Sequence, residues 1–271
     1  MRALVVVACI SGLPVSAVGQ GDTGFLRGKG NMDLAISFSL DTYDEFWIGN
    51  DRIHDPPFGR VDRYALNLYG AYGLTDDIDL VANASYVAVT TEHIFDDESD
   101  PQDLNAAIKW RFFSERLGEG TFNVLAFPSV KVPMSNYEDD NVNAIGDGQV
   151  DLRGHIILQQ EFDCGAFLAL DTGYDVRFQD PPDQFPINFS AGMTFDDFTV
   201  TAFYTLIDSL GGYDIGEGPF PGVEEDYDRL GLNFYLRITD HFGLTLAGWT
   251  TLDGKNTGDV DGFAVGTVIR L

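Results

Sequence analysis

From residue 30 onward, apolar residues recur at every second position rather than at helical spacing. Met32, Leu34, Ile36, Phe38 and Leu40 alternate with Asp33, Ala35, Ser37 and Ser39. Leu104, Ala106, Ile108, Trp110 and Phe112 oppose Asn105, Lys109 and Arg111. Leu152, Ile156, Leu158 and Phe162 oppose Asp151, Arg153, His155, Gln159 and Glu161. The pattern continues to the last segment, Phe263, Val265, Thr267, Ile269 and Leu271. It predicts about twelve strands of roughly ten residues, the length a tilted strand needs to cross a bilayer. The stretch from Phe122 to Val132 alternates less cleanly and carries Pro128, which has no N–H for a ladder.

A soluble sandwich also alternates, so the period leaves two architectures open. The connections separate them. Short connections (Thr75 to Asp77, Ser114 to Gly120, Asp163 to Gly165, Asp196-Asp197, Thr239 to His241) alternate strictly with long ones. The long ones are Tyr43 to Asp62, His93 to Gln102, Met134 to Asp147, Gln179 to Phe185, Asp208 to Glu225 and Asp253 to Asp259. Short turns on one rim, long loops on the other and an even strand number are the layout of an outer-membrane barrel. The expected fold is therefore all-β: a closed antiparallel transmembrane β-barrel with short periplasmic turns, long acidic extracellular loops and both termini on the periplasmic side. Tyr64, Tyr72, Tyr86, Trp110, Phe162, Phe178 and Phe195, near strand ends on the apolar face, are candidates for aromatic girdles at the two interfaces.

Composition sharpens this reading. The chain has 271 residues, 16 Lys+Arg and 43 Asp+Glu, a net charge of −27. That balance excludes a nucleic-acid partner, which would need a basic footprint. Aromatic residues at 13% exclude a disordered chain. The acids concentrate in the long loops, as in Asp96-Asp97-Glu98 and Glu224-Glu225, and are almost absent from the apolar strand faces.

The first residues read as a secretory signal peptide, residues 1–19, with Met1-Arg2 before an apolar run from Ala3 to Leu13. Cleavage falls after Gly19, with Ala17 as the competing site. The run is short for a membrane anchor, and Cys9 lies too close to Arg2 for a lipoprotein box. The mature chain, 20–271, is the barrel. It retains Cys164 alone, so a disulfide or a cysteine zinc site is not expected.

The alternate strand face points into the lumen. Lys109, Arg111, Arg153, His155, Arg177, Arg237 and Arg270 share it with Asp33, Asp151, Asp171, Asp175 and Glu161. Two readings stand: a ring of charges that tunes solute selectivity, or ion pairs that only satisfy buried charge. Lys109, Arg111, Arg153, His155, Arg177, Arg237, Asp151, Asp171 and Asp175 are the selectivity candidates. Only about ten residues precede the first strand, so no separate plug domain is expected. The first and fifth long loops, about twenty residues each, are the candidates for folding into the mouth.

An enzyme reading fails on spacing. A barrel hydrolase needs an imidazole beside a hydroxyl on one strand face, two residues apart. His54, His93, His155 and His241 have no Ser or Thr at that position. Asp240-His241 sits in a short turn and reads as turn chemistry. The acidic clusters lack a DxDxDG-type spacing and read as a solvated rim. No catalytic residue, metal site or cofactor is expected.

The chain also resembles a known family. Ile145 to Phe162 carries a G-x-G-x-x-D-L segment, Leu68 to Val87 a YGLTD hairpin, Pro128 to Asn136 the segment before the acidic loop, and Leu170 to Asp183 a hairpin exit. These are similar to the outer-membrane transporters called the meta-pathway of phenol degradation family, over roughly residues 30 to 271. The resemblance implies uptake of aromatic or other hydrophobic small molecules. Family barrels usually end in an aromatic residue read by the barrel-assembly machinery, whereas this chain ends in Leu271.

The sequence therefore leads to a Gram-negative outer-membrane channel or transporter for passive uptake of small solutes, hydrophobic or aromatic ones among them. Its expected partners are outer-membrane lipid and lipopolysaccharide, the barrel-assembly machinery and the solute. The alternative is a non-transporting structural or surface-binding barrel whose acidic loops hold cations.

Overall fold

The computed structural model describes residues 22–139, 141–218 and 220–271. The expected signal peptide and Cys9 lie outside them.

Twelve antiparallel strands close into one barrel. In chain order they are β1 (Met32–Tyr43), β4 (Val61–Gly73), β5 (Ile78–Thr91), β6 (Glu98–Arg116), β7 (Gly120–Pro133) and β8 (Asp151–Phe162). There follow β9 (Ala166–Arg177), β10 (Gln184–Thr194), β11 (Phe198–Ser209), β12 (Asp226–Thr239), β13 (Phe242–Lys255) and β14 (Asp261–Arg270). Sequence neighbours pair throughout, and β1 closes on β14 from Asp33 opposite Arg270 to Thr42 opposite Asp261. The first long loop holds a separate hairpin, β2 (Glu45–Ile48) with β3 (Asp51–His54).

The period-two reading assigns the faces correctly. On β1, Leu34, Ile36 and Phe38 are exposed while Asp33, Ala35, Ser39 and Asp41 are buried. Leu66, Leu68, Ile108, Leu152, Phe189, Leu232, Leu246 and Val265 extend the exposed apolar surface around the barrel. In water such a surface would drive aggregation, whereas lipid requires it. Tyr72, Tyr86, Trp110, Phe162, Phe178 and Phe195 all lie exposed on this face. Tyr174 and Tyr204 point outward too, and each donates its hydroxyl to a rim carboxylate at 2.6 Å, Asp183 and Asp228 respectively. A ring in the apolar layer with a polar tip at its edge is what an interfacial tyrosine provides.

Three connections are shorter than expected because strands run on past the apolar layer. β6 starts at Glu98 and ends at Arg116, and β13 continues to Lys255. The irregular stretch with Pro128 is a full strand, β7. Its alternation is blurred because Leu125 is wholly buried inside the barrel, opposite Ile157. Both faces are apolar at that level, so the period is masked there.

Candidate functional site: the barrel lumen

The periplasmic half of the lumen is occupied by residues 22–27, from the segment that precedes β1. The Asp22 N–H donates to Asp171 at 2.9 Å, and the Gly24 N–H to Gln159 Oε1 at 2.7 Å. Asp22 pairs with Lys109, whose Nζ also donates to the Thr23 carbonyl at 2.8 Å. Arg27 pairs with Asp33 at 2.9 Å, and its N–H donates to Asp79 at 2.8 Å. Phe25 packs edge-on against Phe167, with ring centroids 5.0 Å apart. Glycine at position 24 is a steric requirement: a Cβ there would meet Leu125 at 2.9 Å and Gln159 at 3.0 Å. This short segment thus occupies the periplasmic half of the lumen.

At mid-height His155 lies between two carboxylates. Its Nδ1 is 2.8 Å from Asp171 and its Nε2 is 2.8 Å from Asp175. An ionised carboxylate only accepts, so with both ionised the ring holds both protons and is an imidazolium. Arg153 donates to Asp151 at 2.8 Å and lies 3.5 Å from Asp175.

The loop-side half is roofed from three directions. Loop 134–150 folds inward: Tyr137 donates to Asp103 at 2.6 Å, and Arg63 Nη1 donates to the Ala144 carbonyl at 3.0 Å. Ile145, in the same loop, is wholly buried. The first long loop contributes buried Phe46 and Trp47, and the fifth contributes buried Val223. The first and fifth loops thus enter the mouth as expected, and the third joins them. Asp147 accepts from Lys131 at 2.6 Å and pairs with Arg177. Burial pushes the Asp147 carboxyl up, but Lys131 and Arg177 outweigh it and hold the group down at about 2. Burial and the Asp103 carboxylate push the Tyr137 hydroxyl up. Between roof and strands lies a cavity of about 430 Å³ lined by Arg63, Arg153, Arg177, Arg229, Tyr43 and Asp41 among others.

The structure brings Lys109, Arg153, His155, Arg177, Asp151, Asp171 and Asp175 together in the lumen. Arg111 and Arg237 sit at the periplasmic rim instead. Arg111 Nε donates to Asp77 at 2.9 Å and Arg237 Nε to Asp197 at 2.9 Å, each a residue of a short turn. Both clamp hairpin ends there, their own backbone N–H groups bonding to the Asp77 and Asp197 carbonyls at 2.9 and 2.7 Å. Sequence reasoning missed Arg27, Lys131 and Arg229 as lumen groups. Lys131 sat in the strand with the blurred period, and Arg27 in the segment with no period at all. For Arg229 the signal was present, since it precedes outward Leu230 by one residue.

No family model matches the chain. No curated protein matches it in sequence. Solved structures do. An outer membrane channel from Pseudomonas putida F1 superimposes with a TM-score of 0.74 at 12% identity, covering 90% of this chain and 96% of that one. The translocator domain of the autotransporter NalP from Neisseria meningitidis gives 0.53 at 12% identity, over 90% and 89% of the two chains. The porin NanC gives 0.52 at 10% identity, over 89% and 100%. At such identities the likeness is one of fold. Closed strand topology and the exposed apolar belt together define the class: the chain is an outer-membrane β-barrel.

Proposed function

We propose that this barrel is a channel that passes small solutes across the outer membrane by passive diffusion. The observation that carries the reading is the charge-lined cavity of about 430 Å³ inside the barrel, beneath the loops. That void, with Arg63, Arg153, Arg177 and Arg229 on its wall, leaves room for a solute inside the barrel. The fold likeness to the Pseudomonas putida channel supports the same role. Membership of the meta-pathway of phenol degradation family rests on the hairpin motifs quoted above, and with it the preference for hydrophobic or aromatic solutes. The implied partners are outer-membrane lipid, lipopolysaccharide and the barrel-assembly machinery.

Catalysis is not part of this proposal. Both nitrogens of His155 are occupied by carboxylates, so the ring has no free lone pair with which to activate a hydroxyl. One observation favours the alternative, a non-transporting barrel: residues 22–27 occupy the periplasmic half of the lumen. Planar-bilayer recording separates the two. The refolded barrel is expected to give discrete single-channel steps. Absence of steps, both from the mature chain and from a version beginning at Asn31, would rule the channel out.

A further inference from the structure

Most lumen cations have an anionic partner. Lys109 has Asp22, Lys131 has Asp147, Arg153 has Asp151, Arg177 has Asp147 and Arg27 has Asp33. Among the described residues, the arginines without a carboxylate oxygen within 4.0 Å are Arg63 and Arg229, and both line the loop-side cavity. Arg63 spends its guanidinium on two carbonyls of the third loop, Ala144 and Ile145. Arg229 does not. It is 8% exposed, its Nε donates to Thr251 Oγ1 at 3.3 Å, and its guanidinium carbon stands 4.1 Å from the Tyr227 ring centroid. Thr251 and Tyr227 fix the group without neutralising it, and among the described residues none accepts a hydrogen bond from its two terminal nitrogens.

The carboxylates nearby make their hydrogen bonds elsewhere, although Asp41 lies close enough to feel the Arg229 charge. Asp41 accepts from the Trp249 indole at 2.8 Å, and Glu225 from Thr257 at 2.8 Å. A guanidinium that is buried, held by a ring and left with two parallel donors is a fork for a planar oxyanion. Beside it the wall is apolar: Tyr43 packs with Trp249 and Val260 in one cluster, and Tyr43 and Val260 both line the cavity.

We propose that the loop-side cavity binds a small organic monocarboxylate, its carboxylate on the terminal nitrogens of Arg229 and its apolar body against Tyr43 and Val260. This deepens the channel reading and rests on it for one step only, the passage of the bound anion. The cavity discriminates by charge: a neutral solute of the same shape fills the apolar part and leaves Arg229 unpaired.

Calorimetric titration of the refolded barrel with sodium benzoate and with benzamide, against a detergent blank, tests it. Benzoate is expected to bind about tenfold more tightly or better at pH 7. Arg229→Gln should bring the two ligands within about twofold, whereas Arg111→Gln on the periplasmic rim should leave the preference intact. Equal binding of the two ligands to the native chain overturns the proposal and needs no variant to show it. So does a preference that survives Arg229→Gln in a barrel of native gel mobility. Bilayer recordings on the same preparation keep the two readings apart. A conducting barrel indifferent to the benzoate charge removes the site and leaves the channel. A barrel that prefers benzoate but passes no current removes the channel and leaves the site.

Discussion

Lys109 Nζ donates to the Thr23 carbonyl at 2.8 Å and pairs with the Asp22 carboxylate, joining the middle of the chain to the segment that precedes the first strand. The Lys109 side chain is 1% exposed and that of Asp22 13%. Removing one partner of so buried a pair strands the other charge, at a cost of about 3–5 kcal/mol. Lys109→Met is therefore expected to free residues 22–27 from the lumen. Single-channel conductance should rise, and amide exchange of Thr23 and Gly24 should speed up. Unchanged conductance with unchanged exchange would show that the segment does not hold the lumen through this pair.

The third loop should respond to acid. Asp147 ionises at about 2, below its ordinary value of 3.8, because Lys131 and Arg177 stabilise the carboxylate. Its pairing therefore contributes fully above about pH 4 and fades as pH falls toward 2. The contribution at stake is about 2 kcal/mol. Protection of the described third-loop amides, taken against the intrinsic exchange rate at each pH, should fall between pH 4 and pH 2 in the native chain. In Asp147→Asn it should be low at both values. An identical pH profile in the two proteins would contradict the assignment.

The lipid face makes a third prediction. Leu68 is 52% exposed and lies between Ile36 on β1 and Ala84 on β5, on the outer surface. Leu68→Arg places a charge in hydrocarbon and should cost about 2–4 kcal/mol in guanidinium unfolding from lipid vesicles. Its neighbour Asn67 faces inward, where it bonds Ser39 at 3.2 Å and Ser85 at 2.7 Å. Asn67→Ala should cost only about 1–3 kcal/mol. A barrel standing in water would tolerate Leu68→Arg with almost no loss.

Two features divide what can be read along the chain from what cannot. Alternation of Leu34, Ile36 and Phe38 with Asp33, Ala35 and Ser37 sets both the strand and its faces, because the side-chain period is a property of the backbone. The same parity put Arg153, His155 and Asp171 in the lumen. Parity fixes direction but not height in the barrel, so it did not show that Arg111 and Arg237 sit level with the turns at Asp77 and Asp197.

By itself the sequence determined the twelve strands, their inner and outer faces, the two rims and the membrane as solvent. These follow from local geometry and from what lipid requires of a backbone. Only the tertiary structure decided what fills the barrel. Asp22 meets Asp171 across 149 residues, and Trp249 meets Asp41 across 208, contacts created by barrel closure and strand register. Such pairings leave no periodic trace, because they depend on which strands come to face each other. For the same reason the place of Arg229 between Thr251 and Tyr227 at the loop-side cavity is visible only in the folded barrel.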